Sequence, residues 1–351
     1  MDTFIFLDIE ATLINGKQHI IEIGAIKWMP NNTFETFEQL IKPIKFKRLN
    51  RHIQDLTGIT TEELQNAKPF KVVIQDFIEW CGGYEKEKIF VTFGEFDRKV
   101  LEEEFSRHQL MKEFLYPIVD YQQKYMIAHH EKNQPSLNRL METFNLENEQ
   151  QHRALADANS LLKIFLATDG LRLVENQKTN NFSCILCDMV QKENFYEVYL
   201  TYITGTIENE YIKINEIKSL KRHLVYQIQE VEKVSPDGEL SIAQVYNFQS
   251  NQEIQSFLHQ FTEHLENHVL ITLGGLKHLS KIVRIHGISI PKTETMTLKQ
   301  LINDENELSQ FKLCNGLEND ELKYLRLFEK FQNEIIDEFK RRNLFKDEVK
   351  K

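Results

Sequence analysis

Apolar residues open this chain almost at once. Thr3 to Leu7 is a strand-forming run with no polar interruption. Comparable runs near residues 19–28 and 34–41 predict two more strands and an antiparallel meander. The period then lengthens. Residues 69–81 carry apolar positions at helical spacing, and Lys88 to Phe93 reads as a short buried strand. Val100, Leu101 and Phe105 mark a helix over 96–109, followed by a strand at 116–120. Helices near 121–130, 136–144 and 154–168 complete this half, the last lined by Leu155, Leu161, Leu162, Phe165 and Leu166. Strands alternating with helices predict a mixed α/β sheet with helices packed on its faces.

The polar residues that interrupt this pattern carry the chemistry. Asp8 and Glu10 end the first strand. Alternate strand residues share a face, so these two carboxylates point the same way. Like charges held side by side need a cation or solvent, and carboxylate oxygens are the natural ligands of Mg²⁺ or Mn²⁺. Taken alone, the pair equally describes a strand running into a polar turn. Asp97 sits at a helix start just past a strand end, where an acid also serves the helix dipole. His152 lies just before the last helix and Asp157 within its first turns. A histidine titrating near neutrality suits a general base, although a lone histidine before a helix is more often a cap or surface residue. The five residues argue as a set.

That set resembles the DEDDh exonucleases, the group of the polymerase III epsilon proofreading subunit, RNase T and oligoribonuclease. The resemblance covers roughly residues 1 to 170. It extends to Ile53-Gln54-Asp55-Leu56-Thr57-Gly58-Ile59-Thr60, similar to the family's LTGIT turn, and to Pro135-Ser136-Leu137-Asn138-Arg139-Leu140 before the last motif. It implies a ribonuclease H-like fold, a mixed five-stranded sheet flanked by helices. It also implies two Mg²⁺ or Mn²⁺ ions. Asp8 would bridge both, Glu10 would bind one, Asp157 the nucleophile-side ion and Asp97 the other, often through water. His152 would deprotonate the attacking water. The implied reaction is 3′–5′ removal of 5′-monophosphates from single-stranded RNA or DNA with a free 3′ end. The middle motif, Thr92-Phe93-Gly94-Glu95-Phe96-Asp97, lacks the asparagine of the proofreading type. It is closer to the WG-x-x-D version of the branch that trims histone mRNA and small RNAs, with Phe93 in place of tryptophan, which leans the substrate toward RNA. Ala11 and Thr12 stand where family members cradle the terminal nucleotide. Lys45, Lys47, Arg48 and Arg51 crowd a loop near the LTGIT turn and are candidates for the phosphates behind it. Each of these is also an ordinary solvated loop residue.

Composition narrows the setting. The 351 residues, 41% hydrophobic with 24 Phe, suffice for two cores. A net charge of −10 excludes a general nucleic-acid coat and points to local, salt-sensitive binding. No apolar run reaches membrane-spanning length and no signal peptide precedes the first strand, so the expected setting is cytoplasmic, without a membrane partner. Four cysteines without a framework agree. Cys184 and Cys187 form a lone C-x-x-C, with no second pair from Cys81 and Cys314 for a zinc site, and are expected to be a buried, redox-inert pair.

Asp169-Gly170 closes the first half, and Gln177 to Phe182 is polar and turn-rich. The expected domains are therefore residues 1–172, a linker over 173–189, and residues 190–351. The second half carries a collinear echo of the first. A shift of 194 places Ile9, Thr12, Ile20 and Glu22 on Ile203, Thr206, Ile214 and Glu216. A shift of 180 places Ile74, Phe77, Thr92 and Gly94 on Ile254, Phe257, Thr272 and Gly274, and one of 163 places Asp157 on Asp320. This predicts a degenerate second copy, with Asp8 replaced by Tyr202, Glu10 by Thr204, Asp97 by Lys277 and His152 by Asn315. Such a copy would hold no metal and be inactive. Two readings compete with an RNA exonuclease: a DNA exonuclease for repair or proofreading, and a non-catalytic nucleic-acid-binding adaptor.

Overall fold

The computed structural model describes residues 3–147, 152–234, 240–273, 277–302 and 321–346. They fall into two compact units, the first comprising residues 1–178 together with those from Phe339 onward, the second Thr179–Glu338.

In the first unit β1 (Thr3–Ile14), β2 (Lys17–Trp28) and β3 (Phe34–Lys42) form the expected meander. Two short helices follow, α1 (Arg51–Thr57) and α2 (Thr61–Asn66), then a two-residue strand β4 (Lys68–Pro69) and α3 (Phe70–Trp80). Next come β5 (Lys88–Thr92), α4 (Phe96–Arg107), β6 (Ile118–Asp120), α5 (Tyr121–Ala128), α6 (Leu137–Thr143), α7 (Ala154–Ala167) and α8 (Gly170–Asn176). The sheet order is β4-β3-β2-β1-β5-β6, with β5 parallel to β1. The sheet therefore has six strands, not five. The extra one is β4 at the edge beside β3, too short to leave a hydrophobic period in the sequence.

β1 is buried on both faces, which is why its sequence shows no alternation. Ile5, Leu7 and Ile9 pack in one core with Val73, Phe77 and Leu101 of α3 and α4. Phe4 and Phe6 pack in the other, with Leu161 and Phe165 of α7. Asp8 and Glu10 continue the even-numbered, α7-facing series. The LTGIT turn is a helix junction: Gly58 takes φ 72 as the C-cap of α1, and Thr60 with Glu63 forms a capping box on α2.

The second unit has β7 (Asn181–Gln191), β8 (Phe195–Glu208), β9 (Tyr211–Val234), β10 (Leu240–Phe248), α9 (Gln252–Glu263), β11 (Val269–Thr272), α10 (Lys277–Ile285), β12 (Thr295–Thr297) and α11 (Leu298–Leu301). A further helix spans Glu321–Lys330, and a last one, Gln332–Arg341, begins in this unit and continues past its end at Glu338. Its sheet order is β10-β9-β8-β7-β11-β12. Strand for strand this repeats the first sheet, including the antiparallel meander and the parallel return of the fifth strand beside the first. The fourth strand differs: β10 pairs antiparallel to β9, whereas β4 is parallel to β3.

Two expectations need correction. Residues 173–189 are not a linker. Asp169 takes φ 52 and ends α7, α8 restarts, and the polar stretch leads directly into β7. The alignment of the first block was also one strand out of step. A shift of 194 lays β1 on β8, whereas the register lays it on β7. Consecutive strands of a meander share the same alternation, so a slip by one strand still matches apolar to apolar. The N-caps after the sixth strands, Asp120 and Thr297, set the frame. Their partners Thr92 and Thr272 then correspond, and Phe6 corresponds to Cys184. Counting along the strand, Asp8 corresponds to Leu186 and Glu10 to Asp188, not to Tyr202 and Thr204. Asp97 corresponds to Lys277, as expected. Gly274, Cys314, Asn315 and Asp320 lie outside the described residues. Cys184 and Cys187, three apart on a strand, face opposite sides of β7 and form no pair. Burial pushes both thiols up to about 12, so they are inert.

Candidate active site

The five expected residues converge. Asp8 and Glu10 lie on the α7 face of β1, and Asp97 stands in the first turn of α4. Asp97 is buried at 5% exposure, and its Oδ1 accepts the backbone amide of Ile9 at 3.3 Å. That bond ties the start of α4 to the strand between the two acids. His152 sits at φ 60, a left-handed conformation that turns the chain into α7. Its amide donates to Asp157 Oδ2 at 3.1 Å. Ligand atoms of Glu10, His152 and Asp157 all lie within 4.8 Å of one another.

The electrostatics are those of acids packed against acids. Burial, then the charges of Asp97, Asp157, Glu10 and Glu22, holds Asp8 well above the usual carboxylate range. Burial, then Asp157, Glu22 and Asp97, pushes Glu10 up to about 8, with Arg153 pulling back. Burial takes Asp97 to about 7 against the pull of the Ile9 amide. Asp157 is raised by burial as well, offset by the His152 amide and ring. Hard oxygen donors that repel each other in a desolvated cluster fit divalent cations such as Mg²⁺ or Mn²⁺.

Three supporting residues were not read from the sequence. Glu22 lies directly opposite Glu10 on β2 and is fully buried. Arg153 grips it through Nε at 3.0 and 3.2 Å and Nη2 at 2.6 Å, and the Ala154 amide donates to Glu22 Oε2 at 3.0 Å. Glu22 thus caps α7 from a neighbouring strand, a role that the extended Arg153 does not fill with its own side chain. Gly24, opposite Asp8, is the third: a Cβ there would lie 2.0 Å from the Leu155 backbone nitrogen. Its signal was a glycine inside an apolar strand, which marks close backbone approach. Arg153→Met is expected to destabilise the first unit by roughly 3–5 kcal/mol, because it leaves a buried carboxylate without its counter-charge. Thermal melts would measure this, and an Arg153→Met/Glu22→Leu protein should recover part of the loss, the Ala154 amide still lacking its acceptor.

The expected substrate residues divide. Lys45, Lys47, Arg48 and Arg51 are exposed at the approach to α1, and only Arg51 meets an acid among the described residues, Asp55 at 3.8 Å. Ala11 is half-buried against the α3–α4 core. The Thr12 side chain is 3% exposed, so its hydroxyl is not presented to a phosphate, because β1 continues to Ile14 and turns Thr12 inward. Among the described residues no helix is long and apolar enough to cross a membrane.

Residues 5–165 match the family model described as RNase_T, Exonuclease. The DNA polymerase III PolC-type of Streptococcus sanguinis (strain SK36) is 26% identical over 213 residues, 59% of this chain. The chain spans only 14% of that relative's length. A solved nuclease domain of 3′hExo, a DEDDh family member bound to rAMP, is 22% identical and aligns with 48% of this chain and 93% of its own, at a TM-score of 0.43. The cell-death related nuclease 4 (CRN-4) is 18% identical and aligns with 48% of this chain and 64% of its own, also at 0.43.

Proposed function

We propose, from the match of residues 5–165 to the RNase_T exonuclease family model, that this chain is a metal-dependent 3′–5′ exonuclease. It would release 5′-monophosphates from single-stranded nucleic acid, with RNA favoured by the Gly94-to-Asp97 motif. The observation that carries this reading is the meeting of Glu10, His152 and Asp157 beside Asp8 and Asp97. Asp8, Glu10, Asp97 and Asp157 would hold the divalent ions. When bound, such ions stabilise the charge on the attacking and leaving oxygens of a phosphodiester displacement. His152 accepts the proton of the attacking water through its ring, while its own amide keeps Asp157 aimed. Glu22 and Arg153 fix the start of α7, and hence His152 and Asp157, against β1 and β2. Lys45, Lys47, Arg48 and Arg51 would meet phosphates upstream of the 3′ end.

The second reading is DNA as substrate, favoured by the similarity to PolC-type DNA polymerase III. Purified protein incubated with Mg²⁺ or Mn²⁺ and 5′-labelled RNA or DNA of one sequence decides between them. A ladder shortening from the 3′ end, absent with EDTA, is the expected result, and the faster strand names the substrate. Binding without cleavage of either strand would overturn the enzyme in favour of a nucleic-acid-binding adaptor.

A further inference from the structure

Among its described residues the second unit keeps one acid of the set, Asp188, and carries a different chemistry beside it. An open cavity of ≈ 490 Å³ is lined by Met189, Tyr196, Lys277, His278, Ser280, Lys281 and Arg284, within the roughly 300–1,000 Å³ of ligand pockets. By the strand register this cavity lies beside the start of α10, on the sheet face packed by α9 and α10. Met189 follows Asp188, the counterpart of Glu10, and Lys277 is the counterpart of Asp97. Leu186 stands for Asp8. The surviving acid, Asp188, is engaged by His278 Nδ1 at 3.0 Å. Of the seven lining residues Lys277 replaces an acid of the first unit, and three of the seven are Lys or Arg.

We propose that this cavity binds the phosphates of a single-stranded nucleic acid, with Lys277, Lys281 and Arg284 as the phosphate contacts and the Tyr196 ring as the support that orders Lys281. Three observations converge. No carboxylate lines the cavity among the described residues. Lys277 and Arg284 are exposed at its rim and make no ion pair among those residues. Lys281 is held over two rings, 4.4 Å from the centroid of Tyr196 and 4.5 Å from that of Phe248, so an ordered cation lies beside an aromatic face. Burial, then the neighbouring charges of Arg284 and Lys277, pulls the Lys281 ammonium down. Lys277, Lys281 and Arg284 recur at i, i+4 and i+7 of α10 and so run in a row along one helix face, as the charges of a groove that tracks a single-strand backbone do. A small anion would not span the length of that row.

This inference rests on a nucleic-acid substrate, but its test does not rest on cleavage. Full-length protein in EDTA is titrated against a fluorescent single strand of roughly 20 nucleotides at several salt concentrations, beside Lys277→Gln/Arg284→Gln. Both positions are exposed, so the variant should melt like the parent. The expected result is roughly tenfold weaker binding and a log–log salt slope shallower by about 1.4, for two lost phosphate contacts on a single strand. Hydrolysis of a dinucleotide with Mg²⁺ should be unchanged. Parental affinity and slope in the variant would overturn the proposal while leaving the exonuclease intact. Displacement of the strand by inorganic phosphate or a nucleoside monophosphate at comparable affinity would also overturn it, marking a free-anion site. A parent protein that binds the strand but never cleaves the dinucleotide would sink the exonuclease reading alone.

Discussion

Asp8→Asn protein is expected to lose about 10³-fold or more of its turnover and yet, without metal, to melt several degrees above the parent. Both effects have one cause. Asp8 lies in a desolvated pocket with Asp97, Asp157, Glu10 and Glu22, all of which raise its pKa. Removing one charge takes away an essential donor to the ions, a loss on the scale of deleting a principal electrostatic stabiliser of a transition state. The same removal relieves repulsion that the fold must otherwise bear. The pH dependence follows from the sign of the shifts. Glu10 is raised from 4.5 to about 8 and Asp97 from 3.8 to about 7. In the window between those unfolded and folded values the native state binds more protons than the unfolded chain, so stability falls as pH rises. The metal-free parent should therefore lose stability from about pH 4 to about pH 8, and the variant less steeply. Added Mg²⁺ or Mn²⁺ should raise the melting temperature of the parent more at pH 8 than at pH 5.5, since ligation needs deprotonated carboxylates. Melting curves with EDTA and with metal at both pH values measure all of this. A variant no more stable than the parent in EDTA would mean that the acids do not repel as packed.

The five acid and histidine positions were legible because each is announced locally: acids that interrupt an apolar strand run, a helix start, a loop before a helix. Their order along the chain needed no knowledge of pairing. β1 itself runs on to Ile14, so Asp8 and Glu10 lie inside the strand and not at its end. Glu22, Gly24 and Arg153 were hidden because their roles exist only once β2 lies beside β1 and the start of α7 lies across both. Glu22 inside an apolar run reads as a surface-facing strand residue until the face opposite is known to be covered. Its burial and its three contacts from Arg153 are tertiary facts. The inverse error arose in the second half. Alternation is local and identical from strand to strand, so the repeat could be sensed while its register was missed. Only the parallel pairing of β11 with β7 fixes which strand comes first. The pairing of Asp97 with Lys277 keeps its place under the corrected register because it is counted from the strand ends Thr92 and Thr272, which the shift of 180 already aligned.

Gly24→Ala should be the most damaging small substitution outside the acid set. The added methyl would meet the Leu155 nitrogen at 2.0 Å, the Ala154 carbonyl carbon at 2.1 Å and the Leu155 Cα at 2.5 Å. All three atoms are backbone, so no rotamer change relieves the clash. Either β2 bends or α7 lifts from the sheet. β2 is held on both edges, by β1 and β3, with Ala25 and Ile23 fully buried, so the helix is the part that yields. Lifting α7 draws Asp157 away from Glu10 and strains the Ala154 bond to Glu22. A displacement of this kind, about 1 Å, costs on the order of 10²-fold in rate when reacting groups must be aligned, and overpacking of this kind costs about 1–3 kcal/mol or more. Two measurements separate the parts. Melting temperature reports the packing cost, and turnover at saturating metal reports the misplacement of Asp157. Gly24→Ala that melts lower but turns over like the parent would show that β2, not α7, gives way, and that the close approach serves stability rather than the geometry of the site. Arg153→Met offers the contrast, since it loosens the same helix without pushing it. If the two variants lose turnover in the same proportion, the position of α7 governs the site. If only Gly24→Ala does, direct displacement is the cause.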